Sequence, residues 1–241
     1  FSPDSQHLAF AGNRDGKWFA VADGKEGEPY DGIFSDSMMF TPDSQRLVYR
    51  AKRDDRRYLV VDGKETRPVD SDDFGDPIYS PDSQRKAILI GSDSRSHWLI
   101  DGKPEQMFEG VSDLTFSPDS QRFTYAGHRG NRWHIVTDGA ESRAYDIVGE
   151  SPVRFSPDSR HVAYLTKRDG KFRLVLDGKE GSEYGWVGHC LAFSSDSRHV
   201  AFLAGRGRMV SPDDQGEEVV VVVDGRESGP YIAIVPGVAF V

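Results

Sequence analysis

A chain of 241 residues with 37% hydrophobic content, 25 Gly and 13 Pro has the composition of strands and turns rather than of helices. Its 39 acidic residues against 30 basic give a formal charge of −9, which excludes the basic footprint of a general nucleic-acid binder. One cysteine, Cys190, excludes an internal disulfide and a cysteine-based metal site, and no apolar run approaches the roughly 18 residues of a membrane-spanning helix.

The chain opens on Phe1-Ser2-Pro3-Asp4-Ser5, and that pattern returns along its length. The further copies are Phe40-Thr41-Pro42-Asp43-Ser44, Tyr79-Ser80-Pro81-Asp82-Ser83, Phe116-Ser117-Pro118-Asp119-Ser120, Phe155-Ser156-Pro157-Asp158-Ser159 and Phe193-Ser194-Ser195-Asp196-Ser197, at spacings of 37 to 39 residues. A second marker, Asp-Gly after the apolar third strand, recurs in each unit, at Asp23, Asp62, Asp101, Asp138, Asp177 and Asp224. Two markers in constant phase define repeat units 1–39, 40–78, 79–115, 116–154, 155–192 and 193–241.

Within a unit the first strand ends at the aromatic, as in Ser112–Phe116 or Pro152–Phe155. Pro-Asp-Ser makes a turn, since Pro presets φ and Asp and Ser bond their own backbone. The second strand alternates, as at Leu8 and Phe10 or Val162 and Tyr164. A polar turn such as Arg14-Asp15-Gly16-Lys17 leads to an apolar third strand, Leu59-Val60-Val61 or Val219–Val223. Asp-Gly then closes a tight hairpin, because Gly accepts positive φ and Asp tolerates it. The short polar fourth strand ends near an aromatic, at Tyr30, Phe108, Tyr145, Tyr184 and Tyr231.

Four strands per unit and no helical period predict an all-β fold, a six-bladed β-propeller of four-stranded antiparallel blades forming one domain over 1–241. The first unit lacks the residues of its innermost strand, and Gly237-Val238-Ala239-Phe240-Val241 reads as an innermost strand with no blade after it. The expectation is closure by the C-terminal strand beside His7–Ala11. The start at Phe1, without Met and in mid-repeat, keeps a removed leader or an upstream domain in view.

Aromatic-Ser-Pro-Asp-Ser, an alternating strand, Arg-Asp-Gly-Lys, an apolar strand and Asp-Gly together resemble the WD40-like Pro-Asp repeat of TolB-like bacterial propellers, over essentially the whole chain. The departure is Ser after Pro-Asp in every copy, where the family commonly has Gly, and Ser195 in place of Pro. The resemblance implies a bacterial propeller used mainly for binding, periplasmic or secreted.

No nucleophile elbow, zinc-helix motif or phosphate-cradling loop is present, which weighs against an enzyme. His7, His161 and His199 share one repeat slot, close to that of Arg46, Arg85 and Arg122, and read as solvated strand starts. His189 beside Cys190 precedes an innermost strand and reads as channel lining. The run Asp70-Ser71-Asp72-Asp73-Phe74-Gly75-Asp76 lacks the spacing of a calcium hand; no cofactor is expected, with Ca²⁺ the one ion such a loop would take.

Antiparallel order puts the near-identical Pro-Asp-Ser and Asp-Gly turns on one face and all the divergent turns on the other. The divergent face carries acidic blade-to-blade connections, with Asp31, Asp36, Asp70, Asp72, Asp73, Asp76, Glu109, Asp113, Asp146 and Glu150, and basic second-to-third turns further out. The fifth connection is instead Gly185-Trp186-Val187-Gly188-His189. A channel-mouth ligand site of Asp36, Asp76, Asp113, Glu150, Trp186 and His189 is therefore expected, taking a protein or peptide of basic character, an amine or a divalent cation. The bland alternative is a set of solubilising charges that pair with their neighbours. Three functions compete: a monomeric, non-enzymatic binding scaffold; a cation-binding or hydrolytic propeller using the mouth carboxylates; and a propeller segment of a larger enzyme.

Overall fold

The computed structural model describes residues 1–66, 74–92, 95–112, 114–148, 153–207 and 219–231. Their regular structure is six antiparallel sheets in series and a single 3₁₀ turn at Ser35–Ser37, the blade organisation of a six-bladed β-propeller. Among the described residues no helix is long and apolar enough to cross a membrane. The chain divides into two compact units, Phe1–Met107 and Phe108–Val241, with three sheets in each.

In the first unit, the first sheet has three strands, Ala9–Arg14, Lys17–Ala22 and Lys25–Glu26. The second runs through Leu47–Arg53, Arg56–Val61 and Lys64–Glu65, with an inner strand in two pieces, Gly32–Ile33 and Met39–Phe40. The third contains Ile78–Tyr79, Lys86–Ser92, Arg95–Ile100 and Lys103–Pro104. In the second unit the inner strands are Gly110–Val111 with Thr115–Phe116, Ile147–Val148 with Arg154–Phe155, and Trp186–Phe193. The expected C-terminal closing strand, Val238 to Phe240, lies outside the described residues.

Apolar side chains fill the layers between successive sheets rather than one central core. Tyr30, Leu47, Tyr49 and Val60 pack between the first and second sheets, and Val48, Leu59, Phe74 and Ile88 between the second and third. In the second unit Tyr145, Val162, Tyr164 and Val175 form one layer, and Leu165, Tyr184, Phe202 and Val222 the next. Four of the fourth-strand aromatics meet the second strand of a sheet edge-on: Tyr30 on Tyr49, Phe108 on Tyr125, Tyr145 on Tyr164 and Tyr184 on Phe202, with ring centroids 5.7–6.2 Å apart.

The two sequence markers are hydrogen-bonding devices. In every copy the first Ser or Thr hydroxyl donates to the Asp two residues on, at 2.5–2.6 Å, and accepts the N–H five residues on. The Ser that follows Asp in each copy sits at φ of 61–65°, the left-handed region that Gly enters without strain. Serine adds what Gly lacks: the hydroxyls of Ser44, Ser83, Ser159 and Ser197 accept the N–H of Asp4, Asp43, Asp119 and Asp158 in the preceding sheet, at 2.9–3.1 Å.

In each Asp-Gly hairpin the Asp Oδ1 accepts the first N–H of its second strand, from Leu8, Leu47, Lys86, Phe123, Val162 and Val200, at 2.9–3.0 Å. The histidine slot is thereby explained. His7, His161 and His199 contact the Oδ2 of Asp23, Asp177 and Asp224 at 2.6–2.7 Å, as Arg85 and Arg122 contact Asp101 and Asp138.

Candidate functional site

The turn charges of the divergent face are largely spent on ion pairs. Arg14, Arg53, Arg129, Arg168 and Arg206 pair with Glu26, Glu65, Glu141, Glu180 and Glu227 of their own sheets at 2.6–2.8 Å. In three connections the first acidic residue reaches the next sheet. Asp31 accepts from Lys17 at 2.6 Å and from the Asp54 N–H at 2.9 Å, which holds its carboxyl below the usual range. Asp146 accepts from Arg132 and from the Asp169 N–H, and Glu109 accepts the Gly130 N–H. For these residues the pairing alternative holds.

The residues deeper in the connections are placed differently. The inner strands are interrupted at one register. In the second sheet Ile33 pairs with Ala51 and Met39 with Val48, so residues 34–38 bulge opposite Tyr49 and Arg50. In the third, Phe74 bridges Ile90 and Ile78 pairs with Ala87. In the fourth, Val111 pairs with Gly127 and Thr115 with Thr124; in the fifth, Val148 pairs with Thr166 and Arg154 with Ala163. In the sixth the register shifts between Val187 and Leu191. Asp36 and Asp76 fall within these interruptions, as does the backbone of His189. Of the strand expected over Ser112–Phe116, the regular part is Thr115–Phe116, with a separate piece at Gly110–Val111.

Serine builds the bulge of the second sheet. The Ser37 hydroxyl donates to the Phe34 carbonyl at 2.6 Å and accepts the Arg50 N–H at 2.8 Å, doing the work of a missing strand neighbour. Ser112 plays that part in the fourth sheet, accepting the Ala126 N–H at 2.9 Å. With Ser37 buried, Asp36 is turned out to solvent, and it makes no ion pair among the described residues. Asp76 reaches Arg50, with Oδ1 2.8 Å from Nε. Arg50 also donates to the Phe74 carbonyl at 3.2 Å and lies over the Phe34 ring at 5.2 Å, with Arg57 5.6 Å from the same ring.

Sequence reasoning missed Phe34, Ser37 and Arg50. The signal was present for Arg50: its slot holds Ala11, Leu89, Ala126, Leu165 and Leu203 in the other units, so one charge breaks an apolar column. Trp186 is not an exposed anchor. It is 9% exposed and stacked on Gly205, its cross-strand partner, where a Cβ would collide with the indole. Its indole N–H has no partner among the described residues. Asp113, Glu150 and the His189 side chain lie outside the described residues, as does the acidic run from Asp70 to Asp73. Among the described residues no three His, Cys, Asp or Glu side chains gather as metal ligands would.

No family model matches the chain, and no curated protein matches it in sequence. Similar solved structures include TolB from Acinetobacter baumannii, at 13% identity over 92% of this chain with a TM-score of 0.38. The chain spans 62% of that protein's length. The β-propeller domain of the Trilobed protease from Pyrococcus furiosus is similar at 17% identity, over 95% of this chain and 79% of that one, with a TM-score of 0.40. A puromycin-hydrolyzing peptidase of Mycobacterium tuberculosis is similar at 14% identity, over 92% of this chain and 43% of its own, with a TM-score of 0.42.

Proposed function

We propose that this propeller is a non-enzymatic binding scaffold that takes a protein or peptide segment of basic character on its inner-strand bulges. The observation that supports the reading is the interruption of the inner strands at Asp36 and Asp76 in the first compact unit. The repeated turns and the outer charges are engaged in holding the sheets, whereas Asp36 is exposed and unpaired among the described residues. Exposed carboxylates raise the local concentration of cationic groups and steer them in. The Arg50–Asp76 pair on Phe34 gives the first unit a polar platform where other units have an apolar side chain. By its resemblance the scaffold belongs to the bacterial periplasm or exterior. The experiment is titration with a Lys/Arg-rich peptide and with its charge-reversed counterpart. Salt-sensitive binding of the first alone supports the reading; equal binding of both, or of neither, removes it.

A further inference from the structure

Of the nine Asp-Gly pairs, Asp31-Gly32 opens a connection, with its carboxylate held by Lys17 and the Asp54 N–H. The other eight share one backbone conformation and differ in what their carboxylates touch. Six close the third-to-fourth strand hairpins, with Asp φ of 48–52° and Gly φ of 72–80°. The other two, Asp15-Gly16 and Asp169-Gly170, close second-to-third strand turns on the divergent face, both with Asp φ of 53° and Gly φ of 78°. In the six hairpins Oδ1 accepts a backbone N–H, and in five of them Oδ2 also meets a His or Arg. The Asp15 carboxylate is exposed and has no partner among the described residues. That of Asp169 is 80% exposed, with Arg168 no nearer than 3.6 Å.

The difference bears on a reaction open to any Asp-Gly link. The Gly amide nitrogen attacks the Asp Cγ, a C–N bond forms, and the amide proton and the carboxyl OH leave together as water. The product is a five-membered succinimide. Water then adds to its main-chain carbonyl and breaks the original peptide bond, so the chain runs through the side-chain carboxyl as isoaspartate, an isomer of the starting protein. The attack needs a neutral carboxyl, because an ionised oxygen does not leave, and a Cγ free to swing onto the Gly nitrogen. A latched carboxylate fails the second condition. Its hydrogen bonds fix its rotamer and hold Cγ away from the Gly nitrogen. At Asp23 the Leu8 N–H and then His7 also hold the carboxyl below the ordinary value.

We propose that Asp15 and Asp169 are the sites of isoaspartate formation in the folded protein, and that the six hairpin aspartates are protected by their latches. Conversion adds a methylene to the main chain of a turn, so it alters the divergent face and leaves the Pro-Asp-Ser face intact. The test is peptide mapping of the wild-type chain after prolonged incubation near neutral pH, with fragmentation that separates aspartate from isoaspartate. Since a latched Cγ reaches the Gly nitrogen only after its hydrogen bond to the strand N–H breaks, the account expects isoaspartate at 15 and 169 to exceed that at each latched position by about tenfold, the factor that one net hydrogen bond sets. In urea-unfolded chain the eight sites should convert alike. Comparable conversion at latched and unlatched sites in the folded protein overturns the proposal, and so does the same preference in the unfolded chain.

Discussion

Ser83 shows how one side chain serves both its turn and its neighbour. It is buried at φ 61° and its hydroxyl accepts the Asp43 N–H at 2.9 Å. Ser83→Ala keeps the left-handed strain and leaves that N–H unpaired, at about 1–3 kcal/mol. Ser83→Gly loses the same bond but relieves a strain of about 1 kcal/mol. Denaturant midpoints should therefore rank wild type above Gly and Gly above Ala; equal losses would show that the φ carries no strain. The carboxylates add a pH dependence. Asp4, Asp43, Asp119, Asp158 and Asp196 are each held below the ordinary 3.8, first by the Ser or Thr hydroxyl two residues back and then by the N–H two residues on. A depressed carboxyl contributes stability above its unfolded pKa and loses it as pH falls through the folded one. His199 is raised above 6.5 by its hydrogen bond to Asp224, so its contribution is full below 6.5 and is lost as pH rises through the folded value. Stability should fall below pH 3.8 and step down above pH 6.5, and His199→Gln should abolish the upper step alone. An unchanged upper step in that variant would remove the pair from the account.

Among the elements, the hairpins were the most legible. Gly63 and Gly178 sit at φ 72° and 76° between third and fourth strands, where a β-branched residue is strongly disfavoured. Replacing either by Val should destabilise the fold by more than about 1 kcal/mol in thermal or urea unfolding. A neutral Gly63→Val would be incompatible with the turn described. Such markers are readable because the residues that make the turn also satisfy it, within a few positions of sequence. The bulges were not readable because they depend on register across strands: Ser37 matters through the Arg50 N–H opposite it. Trp186 misled for the same reason. An aromatic in a connection suggests an anchor, but the space that buries it comes from Gly205 on the next strand. The paired charges were half legible. Their signs and spacing stood in the sequence, but which carboxylate each arginine reaches was fixed only by the pairing of strands.

At the scale of the molecule, each compact unit is held by apolar layers between successive sheets, so scaffold and specificity are separable. The repeated turns, latches and aromatic pairs carry the first, and the inner-strand bulges are proposed to carry the second. A change in a bulge should then alter binding and leave unfolding nearly untouched, as expected of solvent-facing loop residues. The most direct measurement is calorimetric titration of the Lys/Arg-rich peptide into wild type and into Asp36→Asn/Asp76→Asn/Asp113→Asn, at low and high salt, with thermal unfolding of both proteins alongside. The account predicts weaker binding and a shallower salt dependence in the triple variant, with little change in its unfolding temperature. Unaltered affinity and salt dependence in a variant that folds as wild type would contradict it.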